Sequence, residues 1–380
     1  MWIVGLVVAG IAVILVITGG LLGWRALMRY FVRQYYLTNY RPLPVGELDA
    51  YRVRHHLEDI PWISTQEPVC QSNSLRMVAA QRGIDATRRH LDFLMGFTYG
   101  ATRHPGGLGF YPGPDPEPGF AVAAPYLGLE RHFYVTDDGA LYSGALRHYL
   151  SQGYPVRVGL DMAILYGWDT EIPHSEVLVG YDSAGFFYHE TVCLPEAPCE
   201  PGHRPPGEKG LYISDERLLA AVFSQAKLFE YPWRYSLSVF EPGPLEQDLK
   251  PIWRRNGRSL IGGNRYGPPQ GADVIDGLAD EIESRGSSLD VSEMCPGLAV
   301  AAYARRENAG YLKIAFPGEA DIERAATYFE QAAGSYQAVL EAVQKRLADP
   351  REAGQAAGWL RDAAVCEREI GLIFVARGRR

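Results

Sequence analysis

The chain has 380 residues, of which 47% are hydrophobic, 12% aromatic and 22% charged. This composition excludes a disordered chain, because it supplies enough apolar side chains for a sizeable core. The 37 basic and 45 acidic side chains give a net charge of −8, and no basic cluster stands out, so no nucleic-acid partner is predicted.

The amino-terminal segment, residues 1–24, carries no charged side chain and is followed by Arg25, Arg29 and Arg33. A helix of this length spans about 36 Å, more than the roughly 30 Å of a hydrocarbon core. A cleaved signal peptide is the alternative, but the segment lacks a basic amino end and a small-residue cleavage site. A buried core helix of this length would rarely be free of polar residues. The segment therefore predicts a single-pass membrane anchor, through which the chain has the membrane as a partner.

Three further segments follow the predicted anchor. Residues 25–49 predict a juxtamembrane helix and linker that ends near Pro42 and Pro44. Residues 50–243 mix helical periodicity with strand-like runs and predict an α+β domain. After that domain the strand-like alternation stops, and amphipathic patterns predict an α-helical bundle domain over residues 244–380.

Within the predicted α+β domain, helical spacing begins after Cys70 and stops at Gly83. Residues 96–119 are rich in glycine, proline and aromatic side chains, and they either line a substrate cleft or form a packed surface loop. A short helix is predicted between Ala140 and Gly153. Three apolar runs then predict adjacent strands: PVRVGLDM, HSEVLVGYD and GFFYHETV.

Cys70 is the candidate nucleophile, since it lies just before a predicted helix. A thiol at a helix amino terminus faces unpaired N–H groups and the positive end of the helix dipole, which stabilise a thiolate. The same N–H groups, with the side-chain amide of Gln66 four residues upstream, are candidate donors to an oxyanion. The alternative is that Cys70 is a small buried side chain without a catalytic role.

His174 and Glu190 are the candidate base and its orienting partner. His174 opens one strand-like run, and Glu190 ends the next. Two adjacent antiparallel strands would place them side by side, so that the carboxylate fixes the orientation of the imidazole. Asp182 is a second candidate partner, although its position between the two runs is typical of a turn. A structural histidine remains the alternative.

The strings around these residues resemble the peptidase C39-like group of the papain-like superfamily. PWISTQEPVCQSNSLRMVAAQRGI is similar to the first motif of that group, a strand, a short loop, the cysteine and a helix. PVRVGLDMAILYG and HSEVLVGYDSAGFFYHET are similar to its second half, where the histidine opens a strand and its partner closes the next. Within that group, the strings resemble the family of the butirosin biosynthesis protein H amino-terminal domain. The resemblance covers residues 62–240 and, more loosely, the helical part.

This resemblance implies a papain-like fold with an antiparallel sheet and an active-site helix. It also implies a nucleophile at Cys70, a base at His174, an orienting group at Glu190 and an oxyanion donor at Gln66. The implied chemistry is amide hydrolysis of a peptide or transfer of an acyl group from a thioester to an amine. The partner position carries Glu where the group has Asp or Asn, and the interval from Gln66 to Cys70 is shorter than in many members. A catalytically inactive binding or scaffold protein, docking a partner through its helical domain, is the alternative.

The other four cysteines predict two disulfides. Cys193 and Cys199 flank a short loop, and Cys295 and Cys366 lie on two predicted helices. One free nucleophile and two bridges favour an oxidising compartment and therefore an extracytoplasmic globular part. The arginines that follow the anchor favour the cytoplasm instead. Four ordinary buried thiols in a reducing cytosol are the alternative.

No metal or other cofactor is predicted. A zinc site formed by His189, Cys193, Cys199 and His203 was the rival to the first disulfide, but its spacing is unusual for structural zinc. No glycine-rich motif precedes a helix in the way that phosphate binding requires.

Overall fold

The computed structural model describes most of the chain after the amino-terminal segment. The described residues are Gly23 and residues 40–44, 48, 52–67, 69–103, 107–113, 117–193, 210–263, 270–285, 291–345, 347 and 350–380. They form a mixed α+β structure in which a large sheet is followed by a helical region at the carboxyl end. The predicted α+β class with helices after it is confirmed at this level.

The predicted membrane anchor, residues 1–24, lies outside the described residues except for Gly23, and most of the predicted juxtamembrane helix lies outside them too. In the part of the chain that the structure describes, no helix is both long enough and apolar enough to cross a bilayer. This finding does not favour the expected single-pass membrane localisation with an extracytoplasmic globular part, and it corrects that expectation.

The described strands fall into one large sheet and one small one. They are β1 (Arg41–Pro42), β2 (His55–His56), β3 (Thr102–Arg103), β4 (Phe110–Tyr111), β5 (Leu129–Thr136), β6 (Val156–Asp161), β7 (Pro173–Tyr181), β8 (Gly185–His189), β9 (Leu211–Ser214) and β10 (Tyr235–Pro242). The large sheet has the order β1-β5-β10-β6-β7-β8-β9, with β2 also paired to β7, and β3 pairs with β4. All pairs of these strands are antiparallel except β1 with β5, so the sheet is mixed, and the expected antiparallel sheet is corrected at that edge.

The helices differ in length between the two parts of the chain. They are α1 (Cys70–Gln81), α2 (Arg88–Met95), α3 (Glu117–Ala123), α4 (Gly139–Ser151), α5 (Met162–Tyr166), α6 (Asp215–Leu228), α7 (Lys250–Ile261), α8 (Ala272–Arg285), α9 (Cys295–Ala315), α10 (Ala320–Gln344) and α11 (Pro350–Arg377). Helix α4 begins where the Asp138 carboxylate accepts the backbone N–H of Ala140 at 2.8 Å, which satisfies a donor that the helix itself cannot pair. The longest helices, α9 to α11, follow the sheet.

The central strand β7 separates two apolar cores. Val177 and Val179 face a core that contains Leu75 of α1, whereas Leu178 between them faces a core that contains residues of α4 and α6. This alternation is that of a strand covered on both faces. It places Glu176 on the same face as Leu178.

The first of these cores is shared by the sheet and the helical region. Phe93 of α2 packs edge-on against Trp253 of α7, with ring centroids 4.7 Å apart, and Phe374 of α11 packs against the same tryptophan at 4.7 Å. The strands end at Pro242, close to the predicted boundary, but a common core joins the two parts. Their division into two domains stays a prediction.

Candidate active site

Cys70 is the first residue of α1 and is half-buried. Among the described residues, no side chain caps this helix end, so its first N–H groups stay available to a negative charge. Helix α1 is fixed to β7 through Ser74, whose hydroxyl lies 2.8 Å from that of Ser175. This contact holds the start of the helix beside the strand that carries His174.

A buried arginine reinforces this placement. Arg157 on β6 donates to Oγ of Ser175 at 2.8 Å and to Oε1 of Gln71, the neighbour of Cys70, at 2.9 Å. It also forms an ion pair with Glu117 of α3 at 2.5 Å. Burial alone would raise the pKa of Glu117, but Arg157 and Arg131 outweigh burial and hold that pKa below its ordinary value. The charge network therefore joins α1, α3, β6 and β7 behind the nucleophile.

His174 is buried at the start of β7, with 3% of its surface exposed, and it lies beside both Cys70 and Glu190. Its Nε2 atom lies 2.7 Å from Oε1 of Glu190 and 3.1 Å from Oγ1 of Thr191. Cys70 lies near the ring, where it adds to the rise of the pKa of His174 that Glu190 and Glu176 cause. The structure thus brings together the predicted nucleophile, base and orienting group.

The position of Glu190 is strongly constrained. Its Oε1 accepts the backbone N–H groups of Thr191 at 2.8 Å and Val192 at 3.0 Å, and its Oε2 accepts the hydroxyl of Tyr166. Its backbone carbonyl accepts Nε1 of Trp62 at 2.9 Å. These contacts fix the carboxylate although it has one methylene more than the Asp side chain of the resembling group.

The electrostatics favour an ion pair between His174 and Glu190. Burial alone would lower the pKa of His174, but Glu190 and then Glu176 outweigh it and raise that pKa well above its ordinary value. Burial alone would raise the pKa of Glu190, but the charge and hydrogen bond of His174 lower it to about 2. These surroundings favour a protonated His174 beside an ionised Glu190.

A second carboxyl group, Glu176, was missed by sequence reasoning. Its Oε1 lies 2.9 Å from Nε2 of His174, and the residue is fully buried. The pairing of Val177 with His189, extended by one residue, sets Glu176 opposite Glu190. Burial and the charge of Glu190 raise the pKa of Glu176 well above its ordinary value. The signal available in the sequence was an acidic residue two positions after His174 in an otherwise apolar strand, and such a spacing shares one face.

The role of Gln66 as an oxyanion donor stays a prediction. Its side chain is exposed in the loop before α1, and it makes no hydrogen bond with the described residues. Asp182, the second candidate partner, lies in the turn between β7 and β8, where its carboxylate accepts the N–H groups of Ala184 at 2.8 Å and Gly185 at 3.0 Å.

The glycine-rich stretch 96–119 contributes one residue near the nucleophile. Burial, together with the Coulombic effect of the nearby Cys70, raises the pKa of Tyr111 well above its ordinary value. Tyr99 and Phe110, which belong to the same stretch, are buried in the cores instead. The expected cleft lining is thus limited to Tyr111 among these three aromatic residues.

The cysteine predictions have mixed outcomes. Cys295 and Cys366 are both reduced, so the predicted bridge between α9 and α11 is wrong. Cys193 is bonded in a disulfide, but its expected partner Cys199 lies outside the described residues, so that pairing stays a prediction. With Cys295 and Cys366 reduced, the count no longer favours an oxidising compartment.

The rival zinc site is not assembled by the described residues. The ring of His189 stacks on Trp62, with centroids 5.0 Å apart, and the Cys193 sulfur is held in a disulfide. Cys199 and His203 lie outside the described residues. The cluster with metal-ligating geometry in the described chain is a different one, formed by His174, Glu176 and Glu190.

Comparisons with protein-family models and with curated proteins find no match for this chain. The resemblance to the peptidase C39-like group and to the butirosin family, and the papain-like fold it implies, therefore stay predictions that rest on the sequence strings and on the site geometry.

Proposed function

We propose that the chain is a papain-like thiol enzyme that cleaves an amide or transfers an acyl group through a thioester on Cys70. The observation that carries the proposal is the position of His174, which lies beside Cys70 and has its Nε2 atom 2.7 Å from Oε1 of Glu190. A nucleophile, a base and a group that orients the base, in contact in that order, are what covalent acyl transfer requires.

Charge supports the same assignment. The proton that Glu190 and Glu176 favour on His174 makes the ring an imidazolium beside the Cys70 sulfur. A cationic neighbour and a helix amino terminus are the two surroundings that favour a thiolate nucleophile in proteins. Both are present at Cys70, which starts α1.

The reaction follows from these positions in two steps. The Cys70 sulfur attacks the carbonyl carbon of a peptide or an acyl-thioester, a carbon–sulfur bond forms, and the proton of His174 passes to the departing amine or thiol. Water or an acceptor amine then attacks the new thioester and gives a proton to His174, and the carbon–sulfur bond breaks. The backbone N–H groups at the start of α1 are the donors best placed for the oxyanion.

A labelling experiment on the whole chain tests this proposal. An electrophilic thiol probe is added, and modification of each cysteine is followed over time by mass spectrometry of its peptide. Cys70 should react fastest, and Cys295, which is also reduced and half-buried, provides the internal comparison. Burial raises the pKa of Cys366 to about 11, so that thiol should react slowest.

The variant His174→Ala makes the result decisive. It should slow labelling of Cys70 and leave the rate at Cys295 unchanged. If Cys70 is labelled no faster than Cys295, and if His174→Ala does not change its labelling rate, the chain is not a thiol enzyme. That result would favour the alternative of a scaffold protein. Supplying an acyl-thioester with and without an amine then distinguishes transfer from hydrolysis, because only transfer gives an amide product that depends on the amine.

A further inference from the structure

The proposed thiol chemistry uses His174 and Glu190 but leaves Glu176 without a role. Both carboxyl oxygens of Glu176 are buried, and neither makes a hydrogen bond with the described residues. Its Oε1 is directed at Nε2 of His174, 2.9 Å away. Burial of a carboxyl group without hydrogen bonds costs free energy, so we expect Glu176 to have a partner that offsets this cost.

The three side chains form a donor set that suits a metal ion. One imidazole nitrogen and two carboxylate oxygens lie within 4.8 Å of one another, and all three residues are buried. Two carboxylate oxygens and an imidazole nitrogen can together offset the charge of a divalent cation in an apolar interior. Mixed nitrogen and oxygen ligands are typical of zinc and its first-row neighbours.

The contacts around Glu190 are of the kind that orient metal-ligating carboxylates in other proteins. Glu190 is oriented by the hydroxyl of Tyr166 and by the N–H groups of Thr191 and Val192. Such outer contacts hold ligating carboxylates in place. Zinc bonds of about 2.1 Å in a tetrahedral site separate neighbouring ligand atoms by about 3.4 Å. The present contacts of 2.7 and 2.9 Å would therefore widen by about 0.6 Å.

We propose that His174, Glu176 and Glu190 bind one divalent transition-metal ion, with Zn²⁺ as its test ligand, through Nε2 and one oxygen from each carboxylate. Glu176 is the residue that distinguishes this site from a simple histidine–carboxylate pair. An ion on Nε2 takes the position of the proton that Glu190 holds there. If the proposed function is right, the bound ion therefore blocks the proton transfers of His174 and inhibits the thiol, reversibly by chelation.

The binding test uses Zn²⁺ and the full chain. Equilibrium dialysis should find one tightly bound ion per chain, and Glu176→Gln, which has the same shape, should weaken binding on the order of 100-fold or more. Cys70→Ser should keep the ion, which excludes the nucleophile as the main ligand. Asp182→Asn, an acidic residue at the other end of β7, is the matched control and should also keep it. Equal affinity in Glu176→Gln and the unmodified chain would overturn the proposal.

A second measurement does not depend on any variant. A crystal soaked in Zn²⁺ should show an anomalous scattering peak between His174, Glu176 and Glu190, and a peak only at other residues, or none, would refute the site. Labelling of Cys70 with and without Zn²⁺ separates the two proposals. If zinc binds at the site and Cys70 stays as reactive as before, the metal site is supported but its inhibitory role is refuted. If Cys70 is reactive and no zinc binds, the metal site is refuted and the proposed function is supported.

Discussion

Oε1 of Glu176 lies 2.9 Å from Nε2 of His174, two residues earlier on the same strand. The same nitrogen is 2.7 Å from Oε1 of Glu190, so two carboxyl groups compete for one N–H. Only one of them can accept that proton with good geometry, and neither oxygen of Glu176 makes a hydrogen bond with described residues. In the absence of a cation, Glu190 is therefore the carboxylate that orients the ring, and Glu176 is held neutral.

Replacement of Glu190 tests that division of roles. Glu190→Gln keeps the shape but removes the negative charge that favours the imidazolium, so labelling of Cys70 and any turnover should fall on the order of 10²–10⁴-fold. Asp182→Asn is the matched control, because this carboxylate serves the turn between β7 and β8 and should leave the rate unchanged. A large loss in Asp182→Asn with little loss in Glu190→Gln would reverse the assignment.

Gln66→Ala should have almost no effect on the reaction. Its side chain is exposed and makes no hydrogen bond with the described residues, so we expect other donors to stabilise the oxyanion. We expect labelling and turnover within about threefold of the unmodified chain, since loss of a true oxyanion donor costs on the order of 10²–10³-fold. Steady-state kinetics on a cleaved or transferred substrate provide the measurement. A loss of that larger size would restore Gln66 to the site.

Much of this arrangement could be predicted from local sequence patterns. Apolar alternation in HSEVLVGYD and GFFYHETV predicted β7 and β8, and the strand pairing then placed Glu190 close to His174. The helix after Cys70 was predicted from its spacing and from Gly83, whose φ of 71° suits glycine at a helix end. These features depend on contacts between residues that are near in sequence.

The features that were missed depend on distant partners. Strand β5 contains Arg131, a charge that looks incompatible with a buried strand until Glu117 is placed beside it. The Cys295–Cys366 bridge required the relative position of two helices, which periodicity does not give. Tertiary contacts decide each of these.

The stability of the chain should depend on pH through Asp92, which supports the helix of the nucleophile. Its Oδ1 accepts the hydroxyl of Ser72 at 2.6 Å, and burial raises its pKa from 3.8 to about 6 against the opposing effect of Arg88. Below about pH 3.8 the carboxyl group of Asp92 is neutral in both the folded and the unfolded chain. Between pH 3.8 and 6 the unfolded chain loses this proton before the folded chain does, so the free energy of unfolding falls as pH rises. Above pH 6 the folded chain carries the whole cost of the buried carboxylate.

Chemical denaturation at several pH values measures this effect against Asp92→Asn. Relative to the variant, the unmodified chain should lose on the order of 3 kcal/mol between pH 3.8 and 6. Glu117 provides a control of opposite sign, because its pKa lies below the ordinary 4.5 in the folded chain. Its contribution is present above 4.5 and is lost as pH falls below that value. Equal slopes for the two residues would contradict both assignments.

The attachment of the helical region to the sheet should depend on one buried arginine. Arg305 of α9 is fully buried and pairs with Glu367 of α11 at 2.6 Å. It also donates to the backbone carbonyls of Thr98 at 2.5 Å and Gly100 at 2.7 Å, in the stretch between α2 and β3. A single side chain therefore joins two helices to the segment that leads toward Tyr111.

Arg305→Met should destabilise the chain by about 3–5 kcal/mol, because it leaves the carboxylate of Glu367 buried without its cation. The control is Arg361→Met, which removes an arginine paired with Asp280 and Glu283 on the surface and should change the free energy of unfolding little. The measurement is urea denaturation followed by circular dichroism. Since the sheet and the helical region share a core with Trp253, we expect a single cooperative transition in the unmodified chain. Equal effects of the two variants would show that Arg305 does not carry the attachment.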